Sequence, residues 1–141
     1  MEKEFVGYTE ALVLKELGFD EPCFGYYNEK IELWGVNPSS FYAKNSDVFW
    51  NCKLSNIFNK SAKLKLCTAP LYQQAFRWFR EKYGLDKVIY PTLGSEGNYY
   101  INIFQNYNSD NSLYWNCSYE TLEEAELECL KKLIEIVKQN E

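Results

Sequence analysis

The stretch from Pro70 to Gly84 leaves this chain few ways to fold. At about 100° per residue, Leu71, Tyr72, Ala75, Phe76, Trp78, Phe79 and Tyr83 share one arc of about 160°. Gln73, Gln74, Arg77, Arg80 and Glu81 fill the other side. A helix with five aromatic rings on one side has to bury them against a large surface, and a sheet supplies one. Pro70 suits a first turn, where its missing N–H costs nothing, and Gly84 suits a left-handed stop.

The residues that follow predict such a sheet. Lys87 to Tyr90 reads as a strand ended by Pro91, which favours an edge or a terminus. Asn98 to Asn106 alternates, with Tyr99, Ile101 and Ile103 on one face and Tyr100, Asn102 and Phe104 on the other. Ser112 to Ser118 also alternates, with Leu113, Trp115 and Cys117 opposed to Tyr114 and Asn116. These runs predict an antiparallel meander. Thr121-Leu122-Glu123-Glu124 then forms a capping box that opens a helix to about Gln139. Its stripe is Leu122, Ala125, Cys129, Leu130, Leu133, Ile136 and Val137, interrupted by Glu126. Glu126 reads either as a wet residue on overhanging turns or as a carboxylate aimed into a pocket. Both helices are expected on the Ile101/Ile103/Leu113/Trp115 face.

The N-terminal half is less regular. Thr9 is placed to cap a short helix, Glu10 to Leu17, stopped at Gly18 with Phe19 folded back on Leu14. Cys23–Tyr27 and Ile31–Trp34 flank a hairpin loop, and Asn37-Pro38-Ser39-Ser40 is a turn. Val48-Phe49-Trp50 and Leu64-Lys65-Leu66 are candidate short strands. No repeat, low-complexity tract or linker divides residues 1–141, so one globular domain is expected. The fold class is α+β: an antiparallel sheet with helices packed on one face, a C-terminal half in α-β-β-β-α order, and an N-terminal short helix plus β-hairpin. The C-terminal order resembles the double-stranded-RNA-binding domain in topology. However, Glu120, Glu123, Glu124, Glu126 and Glu128 stand where that family presents lysines to phosphates, which argues against double-stranded nucleic acid as a partner.

Several chemistries are excluded. The chain has no histidine, which removes Ser-His and Cys-His pairs and imidazole metal ligation. Its five cysteines are scattered without a C-x-x-C spacing and read as reduced thiols, so no metal site is expected. There is no phosphate-binding glycine loop and no nucleophile motif, and no cofactor is implied. No apolar run matches a membrane span or a signal segment, so a cytoplasmic protein without a membrane partner is expected. Charge is uneven. Residues 53–87 hold Lys53, Lys60, Lys63, Lys65, Arg77, Arg80, Lys82 and Lys87 against Glu81 and Asp86, within a chain of net charge −5. A basic middle flanked by acidic ends is able to hold an anion, and it is also what an ordinary solvated surface looks like. Arg77 and Arg80 are the best-placed donors on it.

The candidate binding residues are Tyr100, Asn102, Phe104, Tyr114 and Asn116, three rings interleaved with two amides on the meander face expected to turn away from the helices. Either the N-terminal half folds over this face, or it stays open for a planar group or a partner surface. No catalytic residue is assigned.

Four segments carry a family resemblance: Glu2–Val6, Lys15–Cys23, Ala69–Tyr83, and Glu123–Leu127 through Lys131–Lys138. The most specific of them is the run Gln73-Gln74-Ala75-Phe76-Arg77-Trp78-Phe79-Arg80-Glu81-Lys82. The chain resembles a family of small proteins from phages and integrated elements of gut Bacteroidales. The resemblance implies an accessory protein acting inside a bacterial host cell, and no site residue comes with it. Three functions are compatible: sequestering a small anionic or nucleotide-like ligand to counter host defence, inhibiting a host component by protein–protein contact, and a small enzyme using carboxylates. A non-catalytic binding protein is the expectation.

Overall fold

The computed structural model describes residues 2–28, 30–35, 44–45, 65–92, 98–106 and 110–141. Val48-Phe49-Trp50, the turn at residues 37–40 and Leu64 lie outside the described residues. Where the sequence shows no linker, the chain divides into two compact units, Met1–Leu71 and Tyr72–Glu141.

In the first unit, helix α1 (Tyr8–Glu16) lies against a sheet in the order β2 (Leu33–Gly35), β1 (Gly25–Asn28), β3 (Lys65–Ala69), antiparallel throughout. The helix stop is as expected. Gly18 takes φ 95°, its N–H donates to Lys15 O at 3.0 Å and Phe19 N donates to Leu14 O at 2.9 Å, with Leu14 and Phe19 both buried. The start differs: Gly7, not Thr9, is the N-cap, without a side-chain cap bond. The hairpin is present with shifted bounds. Asn28 is buried and its Oδ1 accepts from Lys30 N (2.9 Å) and Glu32 N (3.0 Å), which draws residues 30–32 into the turn and out of the ladder. Phe5 forms a β-bridge with Leu71, and Val6 N donates to Pro70 O at 2.8 Å.

In the second unit, α2 (Tyr72–Tyr83) packs on β4 (Leu85–Pro91), and α3 (Leu122–Gln139) lies against α2, β4, β5 (Tyr99–Gln105) and β6 (Ser112–Tyr119). The sheet order is β4-β5-β6, all antiparallel, so the α-β-β-β-α order and the helix layer on one face are observed. Helix α2 begins at Tyr72 rather than at Pro70, because Pro70 and Leu71 are spent on the β-bridge region with Phe5 and Val6. Tyr72, Ala75, Phe76, Trp78 and Phe79 are buried, each large side chain contributing roughly 1.5–3 kcal/mol by leaving water. At its end Gly84 has φ 66°, and its carbonyl accepts from Asn106 N at 2.9 Å. Helix α3 is capped by Thr121, whose hydroxyl accepts from Glu124 N at 3.1 Å, while the Glu124 carboxylate reaches Glu120 N at 3.2 Å. Its stripe is buried at Ala125, Cys129, Leu130, Leu133 and Val137. Leu122 is exposed instead, and Ile134 is buried in addition.

One expectation about this sheet is corrected. Ile101 and Ile103 do face the helices and are fully buried. Leu113 and Trp115 do not. The register sets Ile101 opposite Asn116, Ile103 opposite Tyr114, and Asn102 opposite Trp115. Residues opposite one another in an antiparallel ladder share a face, so Tyr114 and Asn116 turn inward and Trp115 turns outward. Turning the more polar set inward leaves no lone polar group, because its ends bond to one another. Asn116 Nδ2 donates to the hydroxyls of Tyr114 (3.1 Å) and Tyr119 (3.2 Å), which lie 3.0 Å apart.

Candidate functional site

The outer face of β4, β5 and β6 is built by period-two alternation on each strand. Its rows are Tyr90 beside Tyr100, then Val88, Asn102 and Trp115, then Asp86, Phe104 and Ser112. A bulge between Ile103 and Phe104 adds Leu113 to the strand at this end. Val88, Tyr90, Leu113 and Trp115 are between 41% and 54% exposed, while Tyr100, Asn102 and Phe104 are half-buried. Isolated apolar residues at a surface are ordinary. A contiguous set across three strands is less common on a protein surface.

The rings are arranged in a way that limits what they can hold. Tyr90 and Tyr100 stack with centroids 4.9 Å apart and planes at 14°, the spacing of neighbouring strands. Rings lying side by side in one plane would overlap at that distance. These two therefore stand up from the sheet, packed on each other. Trp115 leans on Tyr100 at 5.3 Å and 49°. The Ser112 hydroxyl donates to Asn102 Oδ1 at 2.8 Å, which holds that amide in place.

The sequence-derived candidates fall on three separate surfaces. Tyr100, Asn102 and Phe104 are on the outer face. Tyr114 and Asn116 are on the inner face, where the Lys132 ammonium lies 5.0 Å from the Tyr114 ring. Arg77 is exposed and Arg80 half-buried on the sides of α2 turned from its buried stripe. One ligand cannot meet all seven. Val88, Tyr90, Leu113 and Trp115 were not among the candidates. For Trp115, the signal missed was that both faces of its strand carry rings, so ring content could not decide which face is covered.

Burial acts on the inner side. It pushes the Cys129 thiol up to about 12, with Lys87 pulling the other way and Glu126 and Asp86 adding to the rise. Half-buried Glu126 is thus near Cys129. Tyr119 is also raised, first by desolvation and then by Tyr114. Neither group is activated as a nucleophile or a base. A cleft of about 200 Å³ is lined by Tyr83, Leu85, Gln105, Val137, Asn140 and Glu141, and includes none of the candidates. Among the described residues, no three Cys, Asp or Glu side chains gather as a metal site, and no helix is long and apolar enough to cross a membrane. Comparison with family models, curated proteins and solved structures finds no match for this chain.

Proposed function

We propose that this chain is a non-catalytic binding protein whose working surface is the outer face of β4, β5 and β6, and that this face docks on another protein. The observation that carries the reading is the contiguous exposure of Val88, Tyr90, Leu113 and Trp115 around a Tyr90–Tyr100 stack. Tyr and Trp supply large contact area at low entropic cost and dominate protein interfaces. Sequestration of a nucleotide-like anion is less well supported. Each of the paired tyrosines gives one ring face to the other, Trp115 leans on Tyr100, and Arg77 and Arg80 stand on another surface. The resemblance to phage and integrated-element proteins supports a bacterial host component as the partner, with inhibition as the consequence of docking.

The test is affinity capture from a Bacteroidales lysate with three forms: the parent chain, Tyr100→Ala/Trp115→Ala, and Arg77→Gln/Arg80→Gln. The expected result is one protein held by the first and third forms and lost by the second. Native mass spectrometry of the same preparations supplies the opposite outcome. A retained nucleotide that depends on Arg77 and Arg80 and not on Trp115 overturns the reading.

A further inference from the structure

The outer face is apolar at its centre and carries one carboxylate, with further acids close to its strands in sequence. Asp86 stands on the face, in the row of Phe104 and Ser112. Asp110 is exposed just before β6, and Glu120 is exposed just after it. In sequence, the connections between β4 and β5 and between β5 and β6 carry Glu96 and Asp110, with neither lysine nor arginine.

The cations of this unit belong to the other side. Lys87 is on the inner register of β4, opposite Ile103, with its ammonium 4.9 Å from the Phe76 ring. Lys82 lies 4.8 Å from the Trp78 ring on α2. On α3, Lys131 pairs with Glu128 at 3.1 Å and Lys132 with Glu135 at 2.9 Å. Arg77, Arg80 and Lys138 also sit on α2 and α3. An anionic ligand on the outer face would thus meet carboxylates. A second copy placed face to face would bring a second Asp86 and no cation from this unit, and like charges set together at an interface are costly.

Resting on the docking reading above, we propose that the occupant is a protein segment with an aromatic or aliphatic centre flanked by lysine or arginine. Its apolar side chains would cover Tyr90, Tyr100, Leu113 and Trp115, and its cations would meet Asp86 and Glu120. Rim charges of this kind act mainly on the association rate and its salt dependence, while the apolar centre sets the lifetime of the complex.

A displayed random-peptide library, selected on the full chain and counter-selected on Trp115→Ala, tests this. The expected winners combine aromatic or aliphatic residues with Lys or Arg. A synthetic winner should bind Trp115→Ala at least about tenfold more weakly. Its association rate should fall several-fold on Asp86→Asn/Glu120→Gln and fall again as salt rises. Asp86→Asn retains the Oδ1 that accepts from Lys87 N at 2.8 Å, so that bond within β4 is kept. Winners that need Trp115 but are uncharged or acidic, with salt-independent rates, overturn the basic occupant and leave the docking face standing. A library with no winner dependent on Trp115 overturns both. A concentration-dependent dimer in sedimentation, absent from Trp115→Ala, makes the occupant a second copy and also overturns the proposal.

Discussion

The two faces of β4, β5 and β6 are made from alternate residues of the same strands, yet they meet opposite fates. Inward go Leu85, Ile101 and Ile103, which are buried, and a self-bonded trio of Tyr114, Asn116 and Tyr119. Outward go Val88, Tyr90, Leu113 and Trp115, each exposed. Average apolarity does not explain the split, since Trp115 is outside and Asn116 inside. What separates the faces is satisfaction. Every inward polar end of that trio has a partner, whereas the outward rings have one another and open surface. A face that keeps its largest apolar groups in water gains little stability from them, which is why it is read as a binding surface.

The comparison breaks most readily at the inner side. Phe79 is fully buried on α2, so Phe79→Ala should cost about 3–5 kcal/mol through lost burial and the cavity left behind. Chemical denaturation measures it, and a loss below about 1 kcal/mol would mean that the helix layer does not cover the sheet as described.

Alkaline pH sharpens the same contrast. The Cys129 thiol rises from an ordinary 9.0 to about 12 because burial disfavours its thiolate. The native state therefore holds this proton to higher pH than the unfolded chain. Stability from this group is complete below pH 9 and declines as pH climbs toward 12. The slope is roughly 1.4 kcal/mol per pH unit for one such group. Cys129→Ala should remove that slope between pH 9 and 10.5, and denaturation curves of the two chains that stay parallel across this window would place the thiol in solvent.

Gly84 tests what sets the faces apart at the start of β4. Its φ of 66° and the 2.8 Å that a Cβ would leave to Asn106 Oδ1 make Gly84→Ala unfavourable by about 1–2 kcal/mol. The Asn106 side chain is able to swing aside, so the backbone angle accounts for most of the loss. Thermal melts of Gly84→Ala and Gly84→Asn check this. Asn tolerates the left-handed region better and should recover part of the difference, and equal losses would point to the steric contact instead.

What was legible in the chain was local. The aromatic stripe of α2, the Gly18 stop, the Thr121 cap and the alternation of β5 all lie within a few residues of their causes. What was not legible depends on residues far apart in sequence. Helix α2 starts late because Leu71 bridges Phe5. Strand β6 shows its period clearly, but not which phase faces inward. Rings stand on both of its faces, and two bulges in the β5–β6 ladder remove turn length as a guide to register. The make-up of the candidate face was accordingly half legible. Tyr100, Asn102 and Phe104 followed from β5 alone, Tyr114 and Asn116 were exchanged for Leu113 and Trp115, and Tyr90 entered through its pairing with Tyr100.

The smallest expected effect decides that exchange. On the outer face, Trp115 is 54% exposed and gives up only a leaning contact with Tyr100 when replaced. Trp115→Thr keeps a residue suited to strands and should change stability by less than about 1 kcal/mol. If β6 had the opposite phase, with Trp115 under the helices, the same change would cost about 3–5 kcal/mol as a core truncation. Inner Tyr114→Phe offers the matched control. It keeps the ring beneath Lys132 and removes the hydroxyl shared by Asn116 and Tyr119, for a loss of about 1–2 kcal/mol. Urea titrations of both variants, run side by side, should therefore rank Tyr114→Phe as the more damaging change although it deletes a single oxygen. The reverse ranking would return Trp115 to the core, and the docking face would lose its centre.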